Sequence, residues 1–203
     1  MTADQTLSLA YARPDLRASF RAAYVLDGEF KRMVEASKEP LLTRIKLAWW
    51  KEQGLQKPVS ETALGDASVQ LAAYLPKVVT LIDALELALD NSETPVTAAQ
   101  RGLALFELCA AIGGRSLTQP AAHAAQGWGL ADFAIRTQSA DALSLAGQNL
   151  AKPSLRDLGG ALKPLGVLAT LSRRDVECGL DQASPPGSPR RMLTALSFAL
   201  FNR

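Results

Sequence analysis

Helical periodicity runs through almost the whole chain and constrains its fold more than any other feature. Apolar residues recur three and four positions apart in nearly every segment, and no run of alternating β-branched residues is bounded by turns. Proline follows a polar residue at several predicted helix starts, where its missing N–H forfeits no hydrogen bond. The sequence therefore predicts an all-α fold, with helices over 14–36, 40–54, 60–74, 77–90, 95–112, 119–137, 139–151, 155–181 and 189–201.

The chain is long enough to form one domain with a substantial core. It has 203 residues, 48% of them apolar, and a formal net charge of +2. A chain of this length buries roughly 70% of the surface that its unfolded form exposes, so stability requires neither a disulfide nor a structural metal. We therefore expect a single helical domain spanning 1–203.

Cysteine usage and hydropathy indicate where the protein resides. The two cysteines, Cys109 and Cys178, do not form a CxxC pair, and Cys109 lies in an apolar run where a thiol packs as a small hydrophobe. The N-terminus lacks a basic region followed by an apolar core, and no apolar run reaches about 18 residues. These features predict a reduced, cytoplasmic setting with at most peripheral membrane association.

Few residues suit an ordinary metal site. The chain has one histidine, His123, and too few soft ligands for zinc or iron, so His123 is expected to be structural. The carboxylates of Asp83, Glu86 and Asp90 are three and four positions apart and share one helix face. That spacing could hold Mg²⁺, but a solvated acidic face is the favoured interpretation.

The tryptophan pair Trp49-Trp50 is surrounded by basic residues, which is one pattern found in nucleic-acid-binding proteins. The near-neutral net charge argues against that class, so no nucleic-acid partner is predicted. The indoles are instead expected on a helix packed beside the 15–36 helix, with at least one of them buried. The basic residues concerned are Arg44, Lys46, Lys51 and Lys57.

The segment LTRIKLAWWKEQ, 42–53, resembles a hallmark of the squalene and phytoene synthases, whose corresponding helix reads R-L-A-W-W-R-E-E. LRASFRAAYVLDGEFKRMVEA, 16–36, looks like the first catalytic helix of that family. LIDALELALD, 81–90, and LKPLGVLATLSRRDVECG, 162–179, are similar to later helices. The resemblance covers about 7–200, with the tryptophan motif its most specific part. It implies a shortened helical bundle of the isoprenoid synthase type.

The resemblance places basic residues where the family has paired aspartates. When Tyr24 is matched to the family tyrosine, Lys31 and Arg32 take the aspartate positions, and Glu35 takes that of the third acid. In family enzymes these carboxylates hold Mg²⁺ ions that neutralise the diphosphate leaving a prenyl substrate. An ammonium and a guanidinium repel the metal instead. A further family acid, in the M-D-L motif, is replaced here by Ala88.

The second family motif, Q-L-T-N-I-L-R-D-V-x-E-D, best matches GLADFAIRTQSA, 129–140. Gly129 then stands at the glutamine and Asp132 at the asparagine. Arg136 replaces the first aspartate of the motif and Ala140 the last. Both motifs that bind metal in the family are therefore disrupted in this chain.

Two functions are compatible with this comparison. The favoured one is a non-catalytic relative, without cofactor, that acts as a binding or assembly factor. It is implied by likeness to a divergent branch of the family that includes a mitochondrial assembly factor for respiratory complex I. Its partner would be a protein or an isoprenoid or anionic lipid.

The alternative is an active Mg²⁺-dependent prenyltransferase that condenses two prenyl diphosphates head to head. The candidate binding residues are Lys31, Arg32, Glu35, Asp132 and Arg136.

The orientation of the basic pair distinguishes two arrangements of the site. If Lys31 faces inward, a buried ammonium requires a carboxylate, of which Glu35 is the nearest, or a bound anion. If the helix face is outward, Lys31 and Arg32 are solvated or pair with neighbours such as Asp27 and Glu35. The outward arrangement is slightly favoured, because a shortened bundle has less volume to enclose.

Overall fold

The computed structural model describes residues 1–57, 62–91 (backbone only at 90 and 91), 93–151, 155–180, 185 and 187–201. Within these residues every regular element is helical, which confirms the predicted all-α class. The helices are α1 (Ala3–Leu9), α2 (Arg17–Glu35), α3 (Pro40–Trp49), α4 (Ala63–Gln70), α5 (Leu75–Glu86), α6 (Ala88–Asn91), α7 (Pro95–Ile112), α8 (Gln119–Thr137), α9 (Ala140–Ala151), α10 (Lys163–Cys178) and α11 (Pro189–Phe201).

The start of α7, with a hydroxyl cap and a following proline, lies where the sequence predicts it. The similar pair Ser188-Pro189 starts α11 as expected, but the Ser188 hydroxyl has no hydrogen-bond partner among the residues that the structure describes. The Thr94 side chain accepts the N–H of Thr97 at 3.2 Å, and Pro95 occupies the first turn of α7. Thr118 caps α8 in the same way. Each cap satisfies a backbone donor that has no partner inside the helix, so the sequence alone defines these ends.

Two predicted helices are shorter than expected. The 40–54 helix is α-helical only to Trp49 and ends in a single π-helical turn, Trp50–Gly54. A glycine at the end of a helix often serves there by adopting a positive φ, but Gly54 does not. Its role is steric, because a Cβ there would overlap the rings of both tryptophans. The predicted 155–181 helix begins only at Lys163, after two 3₁₀ turns.

The N-terminal and 60–90 regions also differ from the sequence prediction. Helix α1 was not predicted at all, although the Thr2 side chain and Gln5 form a reciprocal cap at its start. The first residues of the predicted 60–74 helix lie outside the described residues, and its α-helical part is α4. The predicted 77–90 helix is divided into α5 and α6, with Leu87 between them.

The centre of the bundle is formed by α2, α7 and α8. The helical spacing predicts burial of Phe20, Tyr24, Phe30 and Val34 of α2; the three aromatic side chains are fully buried, whereas Val34 is half-buried. Helices α7 and α8 lie closer together than side chains normally allow. A Cβ on Gly129 would overlap the carbonyl oxygen of Ala98. This close approach brings the polar side chains of the two helices within reach of each other.

The tryptophan segment packs on α2 and α5. Trp50 is half-buried with its ring 5.8 Å from that of Phe30, while Trp49 is exposed. Lys51 contacts Asp83 at 3.0 Å and Glu86 at 2.7 Å. The acidic face expected to be solvated is therefore partly an ion-paired contact between the tryptophan segment and α5.

The first and last helices are joined by an ion-pair cluster. Arg191 of α11 is buried and donates to both carboxylate oxygens of Asp175 on α10, at 2.6 and 2.9 Å. Its Nε also donates to Asp4 of α1 at 2.9 Å. Burial raises the pKa of Asp175 more than the Arg191 guanidinium lowers it. These contacts connect α1, α10 and α11.

No single helix in the described part of the chain is both long and apolar enough to cross a bilayer. The segments Ala63–Gln70 and Ala72–Glu86 reach that length and composition only together, across a bend of 70°.

Candidate functional site

A buried arginine connects the three central helices. Arg101 lies on α7 with its side chain only 4% exposed. Its Nε and Nη2 atoms donate to the two carboxylate oxygens of Asp27 on α2, both at 2.8 Å. Its Nη1 atom donates to Asp132 of α8 at 2.9 Å. A planar guanidinium suits this two-sided arrangement, since its five N–H groups point in fixed directions.

The neighbours of Arg101 compensate its positive charge, which would otherwise be costly to bury. Burial alone would lower the pKa of Arg101, but the carboxylates of Asp27 and Asp132 outweigh it and raise the pKa. The guanidinium carbon also lies 5.2 Å from the centre of the Trp128 ring, a cation–π distance. The Gln5 amide donates to Asp27 at 3.4 Å. The buried pair is therefore enclosed on several sides.

Asp132 is shared by three cations. Besides Arg101, it accepts from Lys31 Nζ at 2.8 Å and from Arg136 Nε at 3.3 Å. Burial would raise the pKa of Asp132, but the charges of Arg101, Lys31 and Arg136 outweigh it and hold the pKa well below its ordinary value. Asp132 is therefore ionised across the neutral pH range.

The outer part of this cluster lies at the surface. Arg136 Nη1 is 3.3 Å from Glu35 Oε1, and Arg136 Nη2 donates to Glu93. Lys31 Nζ is 3.8 Å from the same Glu35 oxygen. Together these ion-paired side chains form a charge network, whose members are Asp27, Lys31, Glu35, Glu93, Arg101, Asp132 and Arg136.

A cavity of about 440 Å³ adjoins the outer part of the charge network, between α2, α6 and the end of α8. Its apolar wall is formed by side chains such as Val34, Leu85, Leu89 and Phe133. The charged wall carries four members of the charge network, namely Lys31, Glu35, Glu93 and Arg136. Its size is in the range of small-molecule sites, and a few polar groups in an apolar wall are typical of them.

The structure brings together four of the five candidate binding residues. Lys31, Glu35, Asp132 and Arg136 all belong to the charge network. Arg32 does not, because its side chain is 65% exposed and pairs with Glu29 on the outer face of α2.

The outward arrangement favoured for Lys31 is wrong. Its side chain is only 14% exposed, and its main partner is Asp132 on another helix rather than Glu35 on its own. Because α8 packs closely against α7, its Asp132 carboxylate lies within reach of Lys31 and supplies the partner that an inward-facing ammonium requires. The expectation of solvation holds for Arg32 alone.

Three members of the charge network, Asp27, Arg101 and Glu93, are not among the predicted site residues. Asp27 was expected only as a surface partner of the basic pair, whereas it is buried and pairs with Arg101. Arg101 lies in PVTAAQRGLALFELCAAI, where it is the single basic residue of a largely apolar helix. A single basic residue in such a helix is the signal that could have identified it, because a charged side chain is rarely buried unless it is paired. Nothing in the local pattern distinguishes Glu93.

The acidic side chains of the charge network do not fit a Mg²⁺ site of the kind that the family resemblance implies. Asp27, Asp132 and Glu35 each contact an arginine or a lysine, which compete with a metal for the same carboxylate oxygens. Among the described residues, no group of three or more histidine, cysteine, aspartate or glutamate side chains is arranged to hold a metal ion.

Comparison with protein-family models, with curated proteins and with solved structures finds no match for this chain. The resemblance to squalene and phytoene synthases therefore stays a prediction from the quoted motifs.

The depressed pKa of Asp132 predicts a loss of stability in acid. Asp132 is more acidic in the folded state than in the unfolded chain, so its contribution is complete above the unfolded pKa of about 3.9. We expect the free energy of unfolding to fall as the pH drops below about 5, and to keep falling towards the lower folded pKa. Urea unfolding between pH 7 and pH 3 measures this.

An Asp132→Asn variant provides the control, because an amide does not titrate in this range. The variant is expected to show a shallower loss of stability between pH 5 and pH 3 than the unmodified protein. Equal slopes would show that Asp132 is not the group responsible.

Proposed function

We propose that the protein is a non-catalytic binding protein, a degenerate relative of the squalene and phytoene synthases that acts as a binding or assembly factor. The observation that carries the proposal is the charge network beside the cavity. Asp132, which the motif comparison places at the asparagine of the second metal-binding motif, is held by Arg101 and Lys31 at 2.9 and 2.8 Å.

The chemistry of prenyl transfer supports this view. Ionisation of a prenyl diphosphate requires metal ions that neutralise the departing charge, and those ions require free anionic oxygens. Releasing Asp27 or Asp132 for a metal would remove one of the two carboxylates that compensate the charge of the buried Arg101 guanidinium. Breaking a buried pair in this way costs several kcal/mol, so the paired state is strongly preferred.

The cavity supports binding as the remaining role. Leu85, Leu89 and Phe133 are buried side chains that line it, together with the half-buried Val34. An apolar wall of this kind gains free energy when a ligand removes it from water. The binding function that we propose therefore uses the cavity, and the charge network forms its polar end.

Binding in the cavity is tested with a neutral apolar fluorophore such as N-phenyl-1-naphthylamine. The protein is expected to enhance its fluorescence in a saturable manner. Ala88→Phe, which places a ring in the cavity wall, is expected to weaken that binding by about tenfold or more. Leu193→Phe on the exposed face of α11 is the matched control and should leave binding unchanged. Absence of saturable binding to the unmodified protein would contradict the proposal.

Incubation with farnesyl or geranylgeranyl diphosphate in the presence of Mg²⁺ separates binding from catalysis. We expect no condensed hydrocarbon product by gas chromatography. Formation of squalene or phytoene would contradict the proposal and support an active prenyltransferase.

A further inference from the structure

Glu35 makes the longest contacts of any carboxylate in the charge network. Its Oε1 atom is 3.3 Å from Arg136 Nη1 and 3.8 Å from Lys31 Nζ. The buried Asp27 and the half-buried Asp132 are instead held at 2.8 to 2.9 Å by Arg101. The Glu35 side chain is also 47% exposed and lines the cavity. Ion pairs with this exposure contribute little to stability.

The two cations beside Glu35 are fixed independently of it. Lys31 is held in place by Asp132, and Arg136 by Asp132 and Glu93. If the Glu35 side chain turned into solvent, Lys31 and Arg136 would still flank the same position at the edge of the cavity. They would then present two preorganised donors, which lowers the entropic cost of binding an anion there.

We propose that the cavity binds a single-chain amphiphile whose anionic headgroup, a carboxylate or a phosphate monoester, replaces the Glu35 carboxylate between Lys31 and Arg136. The inference rests on the binding function proposed above and names its ligand class. The chain of the ligand lies against the apolar wall formed by Val34, Leu89 and Phe133.

The charge balance of the network favours exchange over addition. Four carboxylates already face three cations, so an extra anion beside an unmoved Glu35 would meet like charge. A carboxylate headgroup that displaces Glu35 into solvent leaves the balance unchanged. A phosphate monoester, with a charge of about −1.5 to −2 at pH 7, adds less net negative charge by displacing Glu35 than by binding beside it. Glu35 therefore acts as an internal occupant of the headgroup position and competes with the ligand.

This competition makes an unusual prediction, that removing an acidic residue at the site tightens binding. Isothermal titration of dodecanoate and dodecyl phosphate, below their micelle-forming concentrations, measures the affinity of both headgroups. Glu35→Ala is expected to bind these anions about fivefold more tightly than the unmodified protein. Dodecanol, which has the same chain without charge, should bind equally to both.

Two further variants complete the test. Glu29→Ala removes a carboxylate on the outer face of the same helix, paired with Arg32, and should leave the affinity for all three ligands unchanged. Arg136→Lys keeps the charge but loses the fork of donors, and is expected to weaken anion binding by about tenfold while dodecanol binding is retained. Circular dichroism of each variant verifies that the helices are intact.

The outcomes separate the two proposals. Tighter anion binding by Glu35→Ala supports the inference, and whether dodecanoate, dodecyl phosphate or both respond identifies the headgroup. Unchanged or weaker anion binding by Glu35→Ala overturns the inference about the headgroup. In that case the proposed binding function still stands if the neutral fluorophore and dodecanol bind. If no ligand binds to the unmodified protein, including the neutral fluorophore, both the headgroup inference and the proposed binding function are overturned.

Discussion

Replacing Arg101 with alanine is expected to destabilise the protein by about 3–5 kcal/mol, because the change leaves the buried Asp27 carboxylate without its charged partner. That loss is a large part of the total stability of a typical domain. Chemical denaturation followed by circular dichroism at 222 nm measures it. The ion pair of Arg13 and Asp15 is the matched control, since their side chains are 60% and 56% exposed. Arg13→Ala should change the free energy of unfolding by less than about 1 kcal/mol.

A double variant tests whether the loss arises from the orphaned charge rather than from lost packing. Replacing Asp27 with leucine and Arg101 with methionine removes both charges and keeps most of the volume. Buried ion pairs replaced together in this way are often tolerated, so the double variant should be more stable than Arg101→Ala. If Arg101→Ala were itself within about 1 kcal/mol of the unmodified protein, the buried pair could not have the importance assigned to it.

Gly129→Ala is expected to destabilise the protein by about 3 kcal/mol, although alanine is the better helix former by about 1 kcal/mol. The added methyl group would overlap the backbone carbonyl of Ala98, which cannot move away as a flexible side chain can. Helices α7 and α8 would have to separate. That separation would also lengthen the contact between Arg101 and Asp132, since the two helices carry these residues. Thermal unfolding combined with urea titration measures the effect.

Gly147 of α9 provides the matched control for this substitution. A Cβ there would meet only the Cγ1 atom of Val176, at 3.1 Å. Because a side-chain methyl can shift by a few tenths of an ångström, Gly147→Ala should lie within about 1 kcal/mol of the unmodified protein. Equal effects at the two glycines would mean that the close approach of α7 and α8 has no special energetic role.

The positions of most helices could be predicted from sequence because their ends are encoded locally. Thr94 and Pro95 define the start of α7, and the hydroxyl of Thr118 caps α8. The 3₁₀ turns before α10 were not predicted, because the apolar spacing continues through them. Periodicity reports which face is buried and is insensitive to a short change of helix type.

The site was only partly predictable for a different reason. The motif comparison placed Lys31, Glu35, Asp132 and Arg136 at related positions, and the structure brings these four together. The pairing of Arg101 with Asp27 joins residues 74 positions apart. No local pattern encodes such a contact. The orientation of Lys31 depends on where α8 lies, which is determined by the tight packing against α7 rather than by the sequence of α2.

The contact between Asp4 and Arg191 has a consequence for the order in which the chain acquires its structure during synthesis. These residues are 187 positions apart, and their ion pair fastens α1 to α11. While a ribosome makes the chain, α1 emerges before α11 and has no Arg191 to bind until the residues between them have been translated. A contact with so large a sequence separation forms late, since loop closure must be complete before it stabilises anything. Until then α1 lacks its ion pair with α11 and is held only by contacts with helices made earlier, such as that of Gln5 with Asp27 on α2.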